Sequence, residues 1–118
     1  MQIGLVYNAL QAGEMDVVLG YSTDGRIKSY DLVVLEDDKQ LFPPYDASPV
    51  ATFEVLEAYP ELDEVLLKLY NSITDEKMQE LNFISDNNLI EPKVVADDFL
   101  RENNYFEDVD VNEEGGTQ

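Results

Sequence analysis

An α/β fold with few strands and a helical C-terminal half is the class this sequence predicts. Three observations carry it. Hydrophobic residues make up 44% of the 118 residues, enough for one small domain with its own core. Short apolar runs with β-branched centres lie in the first half, where buried strands are expected. From Phe53 onward, apolar residues recur at the three- and four-residue spacing of amphipathic helices.

Ile3, Val6, Tyr7 and Leu10 share one face at helical spacing, and Gly13 stops that helix. Met15 to Gly20 reads as a short buried strand. Thr23-Asp24-Gly25 is a cap-and-turn cluster able to start one helical turn through Ile27 and Tyr30. Asp31 to Leu35 is the strongest strand signal in the chain, and Glu36-Asp37-Asp38 ends it as a solvated acidic triplet. In Leu41-Phe42-Pro43-Pro44-Tyr45, two prolines forbid helix and remove two ladder donors, which predicts a stiff extended or edge segment. Pro49 to Thr52 reads as another short strand.

Four helical segments follow. Thr52 caps a helix from Phe53 to Tyr59. Pro60 opens the next as its first residue, with Leu62, Val65, Leu66 and Leu69 as its apolar stripe. Thr74 caps a third, with Met78, Leu81 and Ile84 inward. Glu91-Pro92 begins a fourth with Val94, Val95, Phe99 and Leu100 on its core face. Residues 107–118 read as an acidic disordered tail. Two or three strands for that much helix is an unusual proportion, and it predicts a piece of a larger protein.

Charge and composition exclude much. With 26 acids against 7 bases, the net charge is -19. Such a chain is repelled by phosphate backbones and anionic lipid surfaces, which excludes nucleic acid and peripheral membrane binding. An acidic surface fits either a cationic partner or solubility at high salt. No apolar run spans a bilayer, so no direct membrane insertion is expected. The N-terminus has no signal-peptide pattern, and as written the chain stays in the cytoplasm.

Histidine and cysteine are both absent. Disulfides, thiolate metal sites, His-ligated zinc and histidine-dependent triads all fall with them. No serine is followed at the right spacing by an activating lysine, and no carboxylate pair stands out, so no enzymatic activity is expected. Asp108-x-Asp110-x-Asn112 mimics the opening of a calcium loop, but Glu113 stands where glycine is required. No phosphate-cradling glycine pattern occurs, and no cofactor or metal is expected.

What remains is aromatic. Tyr21 stands just past the end of an expected strand, where open α/β sheets bind ligands. Tyr45 follows the diproline, which sets its direction of approach. A rigid tyrosine face binds a quaternary ammonium through its ring quadrupole. Tyr7, Tyr30, Tyr59, Tyr70 and Tyr105 sit on or beside helical faces and read as packing residues.

Several segments resemble one family. They are residues 13–18, Tyr21-Ser22-Thr23-Asp24-Gly25-Arg26-Ile27, residues 30–38, and Phe42-Pro43-Pro44-Tyr45. The likeness continues through Tyr59-Pro60-Glu61-Leu62 and Met78-Gln79-Glu80-Leu81-Asn82 to the helix carrying Phe99-Leu100. Together they are similar to the substrate-binding proteins of osmoprotectant ABC importers, which carry glycine betaine, carnitine or choline.

The resemblance covers about residues 1–106. It implies the C-terminal portion of a type II periplasmic-binding-protein fold, in which two α/β lobes close on a ligand held in a tyrosine box. On that likeness, residues 1–35 are the end of the second lobe with its return hinge strand, and 36–106 the C-terminal part of the first. Tyr21 and Tyr45 become two positions of the box. The implied partners are a quaternary-ammonium small molecule and, for the intact protein, an ABC permease subunit outside the cytoplasm at the membrane. Family members are more than twice this length. The other box tyrosines and the groups that hold a ligand carboxylate are therefore not expected here, and tight binding by this chain alone is not expected either. The alternative is a stand-alone structural or interaction remnant, pairing with another chain and having no transport role.

Overall fold

Helix-forming residues bounded by caps account for all the regular structure in the computed structural model, which describes residues 2–106. Six helices occur: α1 (Ile3–Gln11), α2 (Gly25–Ser29), α3 (Phe53–Ala58), α4 (Leu62–Leu67), α5 (Asp75–Asn88) and α6 (Pro92–Glu102). Each expected cap side chain does its work. Asp24 accepts from the Arg26 amide at the start of α2, Thr52 from Val55 at α3, and Thr74 from Lys77 at α5. Such a bond satisfies one of the amides that a helix start leaves unpaired.

Helix α1 ends in two nested bonds, Glu14 N–H to Ala9 C=O at 2.9 Å and Gly13 N–H to Leu10 C=O at 3.1 Å. That closure requires the left-handed backbone that Gly13 adopts, with φ of 73°. Pro92 occupies the first turn of α6, as expected. Pro60 does not open α4, whose cap residue is Glu61.

The strand expectations are overturned. Among the described residues no strand forms at 15–20, 31–35 or 49–52, and no backbone hydrogen bond joins these segments to one another. Val17 is 68% exposed, Val33 84% and Val50 94%. The cause lies in what a strand is. A helix closes its hydrogen bonds within its own sequence, whereas a strand exists only by pairing with a neighbour. These apolar segments have strand-like composition and no ladder partner among the described residues.

The core is small and built by helices. Tyr7, Ile27, Val95 and Phe99 are its buried apolar side chains, and α5 packs against both α2 and α6. Val94, expected inward, is 47% exposed and lies on the outer side of α6. Where α2 meets α5, a Cβ on Gly25 would stand 2.7 Å from the Phe83 amide nitrogen and 2.9 Å from the Asn82 carbonyl carbon. The α2–α5 approach is therefore one that only glycine permits. The Cα radius of gyration is 18.2 Å, against about 13 Å for a compact chain of this length. The chain is therefore more extended than a compact domain of its length.

Candidate functional site

Tyr21 and Tyr45 come together. Their ring centroids lie 5.6 Å apart with an interplanar angle of 29°, a stacked pair. Both rings reach solvent, Tyr21 at 52% exposure and Tyr45 at 84%. Stacking at this distance is a favourable aromatic contact. It also covers the face that each ring turns toward the other. A point midway between the centroids lies 2.8 Å from each (5.6/2), inside the ~3.5–4.0 Å at which carbon atoms touch. A methylated ammonium does not fit between the rings at this spacing.

Tyr21 is held from several sides. The Tyr21 amide donates to the Tyr7 hydroxyl oxygen at 3.1 Å, and that hydroxyl donates back to the Tyr21 carbonyl at 3.3 Å. Tyr7 itself is 2% exposed. Burial, the largest influence on it, pushes its phenol above the ordinary tyrosine range and so keeps the donating proton in place. Gly20 makes the approach possible, because a Cβ there would overlap the Tyr7 hydroxyl and stand 2.9 Å from its Cζ.

The next two carbonyls are gripped by α5. Gln79 Nε2 donates to the Ser22 carbonyl, and Asn82 Nδ2 donates to that of Thr23 at 2.7 Å. Beyond them Arg26 makes a two-bond pair with Asp24, at 2.9 and 2.7 Å, and lies 4.4 Å from the centre of the Tyr7 ring. The Arg26 side chain bonded to Asp24 holds that carboxyl below the usual carboxylate range.

Tyr45 is set by shorter-range means. The Asp37 carboxylate accepts from the amides of Leu41 at 2.9 Å and Phe42 at 2.8 Å, and the Gln40 amide donates to the Asp37 carbonyl at 3.0 Å. Those amides, Phe42 first, hold the Asp37 carboxyl below its ordinary range. Pro43 and Pro44 then fix the exit of the turn. Asp37 is thus an organiser of this loop as well as part of a solvated acidic triplet. A shallow hollow lined by Asp37, Gln40, Leu41, Phe42 and the two prolines lies on the way to Tyr45, and neither tyrosine lines it.

The residues that sequence reasoning missed are the holders. Tyr7 was legible as a buried face of α1, but the use of its hydroxyl was not. Gln79 and Asn82 belong to a segment of the family likeness, but nothing in the sequence assigned them to holding the Tyr21 loop. The calcium-loop mimic at 108–112 lies outside the described residues.

A stacked, solvent-facing tyrosine pair thus stands beside a small helical core. The chain belongs to the family described as the substrate-binding domain of ABC-type glycine betaine transport systems, which residues 1–102 match. It is 57% identical over 107 residues to the carnitine transport binding protein OpuCC of Listeria monocytogenes, covering 91% of this chain and 35% of that protein. It is 42% identical over 118 residues to a glycine-betaine-binding protein of Pseudomonas aeruginosa, covering 100% of this chain and 38% of that one. A crystal structure of a glycine betaine/carnitine/choline ABC transporter superposes with a TM-score of 0.82 at 57% identity. The match covers 90% of this chain and 39% of that one. The chain therefore spans little more than a third of the length of the curated relatives it matches.

Proposed function

We propose that this chain is part of the substrate-binding component of an ABC importer for quaternary-ammonium osmoprotectants such as glycine betaine, choline and carnitine. Capture and delivery to a permease outside the cytoplasm is its role, with no catalytic step. The observation that carries the reading is the meeting of Tyr21 and Tyr45, which lie far apart in sequence and stack face to face at the surface. The relatives support it by what their names say they bind. On this reading residues 1–35 belong to one lobe with a return hinge, and 36–106 to the other.

Clasping the ammonium between the two rings requires the pair to part. Tyr21 is anchored by α1 and α5, whereas Tyr45 hangs on a local turn, so Tyr21 is the fixed face and Tyr45 the one that moves. The net charge of -19 favours a cationic head at this surface. Two exposed rings contribute roughly 0.5–1 kcal/mol each, which corresponds to binding at tens of millimolar or weaker by this chain alone. Calorimetry with choline and glycine betaine tests this. Binding at tens of millimolar or weaker, weakened further by Tyr21→Ala or Tyr45→Ala, is the expected result. Micromolar binding overturns the half-cage energetics, and binding indifferent to both substitutions overturns the site.

A second reading has its own observation. Val17, Leu19, Val33, Leu35 and Val50 are all more than two-thirds exposed on segments of strand-like composition. Such a surface fits a chain that pairs with another polypeptide supplying ladder partners.

A further inference from the structure

We infer that Tyr7 is a positioning residue of the tyrosine pair, its hydroxyl holding the main chain from which the Tyr21 ring projects. The inference rests on the reading of Tyr21 and Tyr45 as the ammonium site and adds a residue to it. Tyr7 engages both polar groups of the Tyr21 backbone with one oxygen, at 3.1 and 3.3 Å. Fixing the amide and the carbonyl of one residue together removes the rotation about its own backbone that would swing its side chain. The oxygen does this across fourteen positions of sequence, from the buried face of α1.

The ring beneath the hydroxyl is itself immobilised. It is buried, and the Arg26 guanidinium lies over it while locked to Asp24. Gly20 leaves the space in which the hydroxyl reaches the chain, since any Cβ there meets the phenol. Packing alone would need the ring and not the oxygen. The paired bonds to Tyr21 assign the oxygen a separate task, which is to hold one face of the pair still while Tyr45 opens from it.

Tyr7→Phe removes the oxygen and keeps the ring. Two readouts on the full chain judge it. The first is the NMR shift of the Tyr45 ring protons, which Tyr21 displaces by stacking and which needs no ligand. The second is a choline titration in a double-mutant cycle with Tyr21→Ala.

The expected result is a folded variant in which the Tyr45 shifts move toward those of a free tyrosine. Choline binding falls by up to about two- to fivefold when Tyr21 is present, and does not fall when Tyr21 is already alanine. A folded Tyr7→Phe protein with unchanged Tyr45 shifts overturns the inference. So does an equal loss in both backgrounds, which is what a general stability role produces. If Tyr7→Phe does not fold, Gly20→Ala takes its place, because its methyl displaces the same hydroxyl, with the same outcomes supporting or overturning. If choline binds neither the parent chain nor any variant, the two-ring ammonium site of this chain fails by itself, and the ring shifts still decide the role of Tyr7.

Discussion

Asp37 controls where Tyr45 begins. Its carboxylate takes the Phe42 and Leu41 amides, and those bonds hold its pKa below the ordinary aspartate range. A group whose folded pKa is depressed stabilises the folded form above its unfolded pKa and loses that contribution as pH falls through the folded one. The turn is therefore intact at neutral pH and loosens in acid, below about pH 4. NMR of the Tyr45 ring protons between about pH 6 and pH 2 should show this transition, and Asp37→Asn should abolish it. The same acid transition in the asparagine variant would mean that another group governs the turn. At this scale the sequence was readable where chemistry is local. Tyr45 was singled out by its diproline and Tyr21 by the end of an expected strand that does not form. Tyr7, Gln79 and Asn82 could not be assigned to holding them, because hydrogen bonds that join positions fourteen or nearly sixty residues apart leave no local signature.

Elements divide into two kinds. The helices carry their own instructions, in Asp24, Thr52 and Thr74 as caps and in apolar spacing, and they form where those signals stand. The strands carried only composition. Asp31 to Leu35 had the most convincing apolar run of the chain, yet Val33 and Leu35 lie exposed without a ladder. The contact between α2 and α5 is the element-scale feature on which Tyr21 depends, because Gln79 and Asn82 reach its loop from α5. Gly25→Ala tests that contact. Its methyl would meet backbone of Phe83 and Asn82 rather than a yielding side chain, so α2 must shift. A loss of about 1–3 kcal/mol in urea unfolding is expected, together with a change in the Tyr45 ring shifts. A variant as stable as the parent would show that the two helices part without consequence.

The whole molecule combines an acidic surface with uncovered apolar segments, and these pull in opposite directions. A net charge of -19 keeps copies apart. Exposed strand-like segments draw them together, because unpaired edges invite partners. Salt weakens only the first of these. Light scattering over a range of protein concentrations should find an apparent mass that rises with concentration, and rises more steeply at about 1 M salt than at about 0.1 M. A strictly monomeric, cooperatively unfolding species at both salts would remove the pairing reading and leave the carrier reading alone.

Helix positions, their caps, the absence of histidine and cysteine chemistry and the two candidate tyrosines were all written in the linear order of residues. Each depends on side chains within a few positions of one another. The meeting of the rings, the grip of Tyr7 on the Tyr21 backbone and the failure of the apolar runs to become strands were decided only by tertiary structure. Each of those depends on whether a distant group arrives, and no local pattern records an arrival.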